Sequence, residues 1–429
     1  MQSLLGLLLF PLLALAISRD RRAISPRYIA GTIALQIVLA VTMLFIPPLR
    51  TLLTWLSGAV MVLQQAADVG AQFMFGFLAG SPPPFEVASP GANFVVAFRV
   101  LPLILVVSVL SAILFHWRIL PAIISAFSWL LRRTLGLDGV LGFVAASSVF
   151  LGIIESPVLI KPYLEKMSPA HLLAMMTCGM STVAGTVMVL YASIVQEVIP
   201  DALTHILVAS VISVPAALLM AHLILPGEER TRSEKTPGES VEGQGGFIWK
   251  SPHANVMEAA IAGLHEGVKM VVSIAAILIV LFALVHLINQ GLAILPSWEP
   301  TRPLSLQLVF GTLMRPLVWL TGVDWSQTGI AGELMATKTL LNEFVSYQEL
   351  ARLPANSLSP ANQKIMLYAM CGFANLGSLG ILSGGLGAIV PERQGELTRL
   401  AALAVLAGTL TTLMTAALTG IIFQIQSLF

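Results

Sequence analysis

Gly152-Ile153-Ile154-Glu155-Ser156-Pro157 places a carboxylate inside a run that is otherwise apolar, VLGFVAASSVFL (140–151) before it and VLI (158–160) after it. A charged group at the centre of a bilayer costs on the order of 2.5 to 3.5 kcal/mol, so the surroundings of Glu155 decide what it is for. They are those of a membrane protein. Of the 429 residues 56% are hydrophobic and only 10% are charged, against roughly a quarter charged in a soluble domain. Apolar runs of the length that crosses about 30 Å of hydrocarbon recur near 1–18, 29–46, 93–115, 170–195, 203–225, 269–289 and 396–424. The fold class expected is an all-α polytopic membrane protein with about eight transmembrane helices.

The first run, MQSLLGLLLFPLLALAIS, ends in small residues like a leader sequence, but no positive charge opens it and the arginines follow it. It is therefore taken as the first span. Lys and Arg in short loops mark the cytoplasmic side. Arg19, Arg21 and Arg22 follow the first span; Arg118, Arg132, Arg133, Lys161 and Lys166 surround the GIIESP region; Arg230, Arg232 and Lys235 follow the fifth; Arg393 and Arg399 precede the last. The opposite loops, SPPPFEVASP (81–90) and QEVIPDAL (196–203), are acidic or neutral, which puts both termini outside. The polar stretch 226–246 reads as a flexible cytoplasmic linker between two halves. Residues 118–134 and 303–321 suit helices lying in the interface.

Two segments do not count as simple spans. Residues 140–163 have basic residues at both ends, and 326–350 carry Glu333, Lys338 and the pair Asn342-Glu343. Both look like re-entrant hairpins, and irregular backbone at membrane depth is tolerated only where protein covers it or it lines a wet cavity. After the first hairpin comes TCGMSTVAGT (177–186) and after the second MCGFANLGSLG (370–380), each with Cys-Gly, a large residue and small polar residues. Inverted repeats with interrupted helices are the plan of secondary transporters, whose ligands bind near the midplane. A structural account stands beside this one. Glu155 could pair with Lys161, and the small residues around Ser181, Thr182, Asn375 and Ser378 could serve close helix packing.

At LLNEFVSY, CGFANLGSLGI and GAIVPERQGELTRL the chain resembles the concentrative nucleoside transporter family, with further matches at ESPVLIKPYL, STVAGTVM and ANVMEAAIAGLHEGVK. The resemblance runs from about residue 93 to the C-terminus. It implies a homotrimer in a bacterial inner membrane, each protomer with two re-entrant hairpins, a scaffold (1–117 and 251–322) and a transport domain (118–225 and 323–429) that moves as an elevator, with the linker at 226–250. It implies a cation-coupled nucleoside symporter in which Glu343, Asn375 and Ser378 surround the ribose hydroxyls. Phe373 and Val187 would lie near the base, and Glu155 near its polar edge. A carboxylate accepting from vicinal hydroxyls suits that task, since charge-assisted bonds are strong in a dry site.

The chain departs from the family where many members have Gly-Gln-Thr-Glu, because Ile153 and Ile154 stand in the middle positions. Fewer donors and acceptors toward the base imply broader base preference or another ribose-like solute. The expected ion site comprises Ser148, where sodium-coupled members have Asn, with Leu151, Thr182 and Val183. Sodium there, or a proton on Glu155 or Glu343, are both open as the coupling cation, and no other cofactor is expected. A nucleoside-binding membrane protein without transport is the alternative function. The net charge of +1, with no basic cluster interleaved with aromatics, gives nucleic acid no footing as a partner. Cys178 and Cys371 build no disulfide framework or metal motif, the seven histidines form no ligand pair, and no nucleophile-base pair suggests an enzyme.

Overall fold

Capping explains where many of the helices begin. Ser168 and Ser359 each precede a proline, and their side chains accept the N–H groups of His171 and Asn362; Asp138, Asn342 and Asn375 cap in the same way. These are N-terminal stop signals placed where hydropathy is uniform. The computed structural model describes residues 2–86, 95–227, 253–298 and 302–426. The linker expected at 226–250 lies beyond residue 227 outside the described residues, as do Arg230, Arg232, Lys235 and positions 87–90 of the proline-rich loop.

The chain opens with α1 (Gln2–Ala16), α2 (Pro26–Phe45), α3 (Pro47–Phe75), α4 (Pro102–His116) and α5 (Ile119–Leu135). A first hairpin follows, with α6 (Gly139–Ser147) as one arm and the short turns Glu155–Val158 and Lys161–Leu164 as the return. Next come α7 (Pro169–Ser181), a break at 182–184, α8 (Gly185–Val195) and the long α9 (Ala202–Ile224). After α10 (Val256–Leu292) and α11 (Leu306–Leu320) the order repeats. The second hairpin is α12 (Thr328–Leu340) and α13 (Glu343–Arg352), then α14 (Pro360–Met370), a break at 371–375, α15 (Leu376–Ile389) and the long α16 (Gln394–Gln426).

Hydropathy and the structure differ in three places. The expected span 170–195 is two helices, because residues 182–184 leave the helical path. The eighth crossing, which no apolar run located, corresponds to the broken pair α14 and α15; Asn362, Gln363 and Lys364 near its start lower its hydropathy. Third, α3 is long and apolar enough to span by composition, yet its neighbours place it along one end of the bundle. Arg19 donates its N–H to Ile224 O, Tyr28 stacks near His222, and Gly31 approaches Leu135, which gathers the basic loops at one end. The first half of α3 meets the far end of α9 through Ser57 and Thr204 at 3.1 Å, and its last residue packs on Phe98, just before α4. With α2 and α4 already supplying two crossings between Arg22 and Arg118, the charge rule asks for no third.

The two halves lock together at their breaks. Gly372 has φ of +153°, and a Cβ there would meet Met180 O at 2.9 Å and the Ser181 carbonyl carbon at 3.0 Å, so the second break rests on the end of α7. Around this crossing α9 is apolar and buried along nearly its whole length, whereas α10 buries few of its residues. α9 is thus an interior helix and α10 an outer one. α10 is seated on α4 through Gly263 and Gly267, which leave no room for a side chain against Ser108 and Ala112.

Arg393 joins the hairpin of one half to the last helix of the other. Its guanidinium donates to Leu164 O at 2.9 Å, Glu165 O at 3.2 Å and Met167 O at 2.6 Å, and pairs with Glu396 at 2.7 Å. With a side chain only 17% exposed, it satisfies carbonyls that the end of the first hairpin leaves free. Arg393→Ala is expected to lower stability by about 2 kcal/mol, seen as a drop in the thermal unfolding midpoint of the purified protein, whereas an unchanged midpoint would show that water replaces the three bonds.

Candidate functional site

Glu343 is the first residue of α13, directly after Asn342, whose Oδ1 accepts the Val345 N–H at 3.0 Å. The cap turns the carboxylate inward, where the residue is 4% exposed. Its Oε1 accepts from the Tyr191 hydroxyl at 2.6 Å, and its Oε2 accepts from Asn375 Nδ2 at 2.9 Å. Asn375 caps α15, and its Oδ1 accepts the Ser378 N–H at 2.7 Å. One carboxylate therefore ties the second hairpin to α8 and to the second break. Polar groups satisfied this fully in an apolar interior hold a defined geometry.

Two more of the expected residues lie on the elements that meet at this centre. Val187 is buried on α8 one turn before Tyr191, and Phe373 lies half-buried in the break two residues before Asn375. Glu155 is set apart. It is exposed, its carboxylate folds back over Gly152, and the bonds that gather Tyr191, Glu343, Asn375 and Ser378 do not include it. Among the described residues it forms no ion pair with Lys161, the partner weighed for it from sequence.

Ser148, Leu151, Thr182 and Val183 meet where the tip of the first hairpin touches the first break. Thr182 Oγ1 donates to Ser148 O at 2.7 Å and lies 2.9 Å from Cys178 O. Gly185 donates its N–H to Phe150 O at 3.0 Å, and Val183 donates its N–H to Ser210 Oγ at 3.3 Å. The result is a group of neutral oxygens of the kind that a hard monovalent cation takes. The Ser148 hydroxyl donates to Ala145 O of its own helix at 2.8 Å. It does not reproduce the reach of an amide. Below it Ser147 and Ser156 share a short hydrogen bond, and Ser156 also donates to Val144 O at 3.1 Å, closing the hairpin from inside.

Two residues of this region are not among those the sequence marks for the site. Tyr191 is the sole tyrosine in the 170–195 run, and a polar handle on a buried aromatic needs a partner; that was its signal. Lys338 helped to mark the second hairpin as irregular but was given no place in the site. It is fully buried, and its Nζ donates to Ala374 O at 3.0 Å. Tyr347, stacked 5.2 Å from Tyr191, donates to Leu367 O at 3.1 Å and walls the site on the α14 side.

Ile153 and Ile154 grip the neighbouring helices. Ile153 Cγ2 lies 3.3 Å from the point where a Cβ on Gly179 of α7 would be, and Ile154 Cδ1 fills the notch left by Gly385 of α15. The two residues that depart from the family pattern are therefore packing contacts between the first hairpin and one helix of each half.

Known proteins resemble the chain along its whole length. Family models described as Na+ dependent nucleoside transporter, C-terminus and N-terminus, match residues 205–420 and 5–78, and one described as nucleoside recognition matches 97–197. Nucleoside permease NupC of Helicobacter pylori is 34% identical over 99% of this chain and 98% of its own length. An uncharacterised transporter of Haemophilus influenzae is 33% identical over 98% of this chain and 97% of its own. The structure of CNTnw in an inward-facing substrate-bound state superposes with a TM-score of 0.86 at 34% identity, covering 99% of this chain and 98% of that one.

The notch at Gly385 gives a check on the hairpin contact. Gly385→Ala should destabilise the protein by about 1–3 kcal/mol through overpacking against Ile154, and adding Ile154→Ala should return much of the loss. Thermal unfolding of the two variants reads both effects; equal midpoints for the single and double variants would show that the two side chains do not compete for the space.

Proposed function

The chain belongs to the concentrative nucleoside transporter family, and we propose that it imports nucleosides in symport with a cation by an elevator-type alternating-access cycle. The observation that carries this is Glu343, a buried carboxylate held at the meeting point of the second hairpin, α8 and the second break. A ribose offers vicinal hydroxyls that exchange with the Tyr191 hydroxyl and the Asn375 amide as donors to the carboxylate. Asn375 then contributes its amide and Ser378 its hydroxyl to the same sugar. Phe373 and Val187 give the base an apolar surface, and Glu155 faces the wetter edge of that surface. No bond is made or broken in the substrate, and the protein is not an enzyme.

Sodium is the coupling cation in this proposal, held at the tip of the first hairpin by Ser148, Leu151, Thr182 and Val183. The grouped neutral oxygens there support it. The moving body is formed by residues 118–225 and 323–429, and its support is the mutual locking of the two breaks and the reach of Arg393 across both halves. The scaffold is formed by 1–117 and 251–322, where α4 and α10 pack on each other and leave an outward apolar face. Lipid and two further copies of the chain, in a homotrimer of a bacterial inner membrane, cover that face.

Uptake of labelled uridine and adenosine into proteoliposomes tests this. A sodium gradient at clamped potential is expected to drive accumulation, and Glu343→Gln is expected to cut it at least about a hundredfold, since two charge-assisted bonds at about 1.5–3 kcal/mol each are weakened. Full uptake by a folded Glu343→Gln protein overturns the site. Accumulation driven by a proton gradient alone replaces the ion and leaves the symporter, whereas no accumulation under either gradient overturns transport.

A further inference from the structure

Lys338 is a fully buried cation to which the proposed nucleoside site assigns no contact with the ligand. Stripping an ammonium of water costs several kcal/mol unless something offsets it. What faces it is the second break: its Nζ donates to Ala374 O at 3.0 Å, and the next residue, Asn375, donates to Glu343 Oε2 at 2.9 Å. Lys338 and Glu343 stand on either side of the hairpin turn at 341–342, on the two arms α12 and α13.

The repeat gives this contact a counterpart. Ser168-Pro169-Ala170 and Ser359-Pro360-Ala361 start α7 and α14 with the same side-chain cap, 191 positions apart. At that spacing Ala184, the residue before α8, corresponds to Asn375, the residue before α15. Val183 therefore corresponds to Ala374. The Cys-Gly pairs, 193 positions apart, run two residues out of this register. In the first half the hairpin tip meets the break through the Thr182 hydroxyl and Ser148 O, beside Val183. In the second half the hairpin arm meets the break through an ammonium on the carbonyl equivalent to that of Val183.

From this correspondence we infer that Lys338 is a tethered cation, filling in the second half the place that the coupling ion takes in the first. It holds the Ala374 peptide so that Asn375 is aimed at Glu343, and its charge balances that carboxylate. Lys338 is thus a positioning residue, acting on the nucleoside through Ala374 and Asn375. One half is permanently loaded and only the other exchanges its cation with water. The inference rests on the symporter function and deepens it.

Equilibrium binding of labelled uridine to the full-length protein in detergent, titrated with sodium, tests it. The wild type is expected to bind uridine with a first-order dependence on sodium. Lys338→Gln keeps a donor for Ala374 O but removes the charge, and should weaken uridine binding at least tenfold with the protein folded. Lys338→Ala opens a space beside Glu343, and its binding should recover with millimolar methylammonium or show a steeper, second-order sodium dependence. Wild-type affinity in Lys338→Gln, or a loss in Lys338→Ala that neither cation changes, overturns the tethered cation. Failure of the wild type itself to bind uridine or adenosine overturns the symporter function on which the inference rests, an outcome distinguishable from both.

Discussion

A helix interrupted inside a bilayer frees backbone groups that no water is present to satisfy, and each one left unpaired costs several kcal/mol. The polar contacts at the two breaks answer that constraint. At the first break, between α7 and α8, Thr182 and Ser210 take up carbonyls and an N–H, and the Gly185 N–H reaches Phe150 O of the hairpin. At the second, Lys338 takes Ala374 O while Asn375 caps the helix that resumes. In the proposed function the same groups that repair the breaks are those that a polar ligand meets, so that binding and folding draw on one set of donors and acceptors.

This sharing makes the interior dense in small and hydroxylated residues. α16 carries Thr411, Thr412, Thr415 and Thr419, all buried, and Thr415 is within hydrogen-bond distance of Ser213 of α9 and Gln36 of α2. Gly408 lets Met180 and Ala374, one from each half, approach the same turn of α16. Such helices pack by shape and by hydrogen bonds among hydroxyls, since lipid and leucine offer each other little gain. The outer helices follow another rule, with apolar side chains directed outward along α10.

Much of this was legible in the sequence because charge in an apolar run is costly enough to be informative. Glu155 marked the first hairpin and Lys338 with Asn342-Glu343 the second, and both reverse within the expected segments. Asn375 lies against Glu343 and Ser378 against Asn375, while the ribose contacts that the family resemblance implies for them belong to the proposed function. The break at 182–184 was not legible, because Thr-Val-Ala-Gly-Thr reads equally well as continuous helix and the groups that receive Thr182, Val183 and Gly185 there, Ser148 O, Ser210 Oγ and Phe150 O, belong to other elements. Tyr191 stayed hidden because its partner lies 152 positions away. Ile153 and Ile154 were legible as departures but not as packing, since the glycines that receive them belong to other helices. No long apolar run marked the eighth crossing, because its first turns carry Asn362, Gln363 and Lys364; the Cys-Gly-Phe-Ala-Asn segment placed a helical span there instead.

Helix α10 runs for 37 residues, which at about 1.5 Å per residue is about 55 Å. The hydrocarbon layer is about 30 Å thick, so a straight helix of this length lies steeply inclined or stands well into the water on at least one side. Its first turns carry Glu258, His265, Glu266 and Lys269, the last two paired and exposed, so the excess length stands in the water at that end. Gly263 and Gly267, which seat α4, fall in this same polar stretch, so the clasp between the two helices and the departure of α10 from the hydrocarbon layer share one part of the helix.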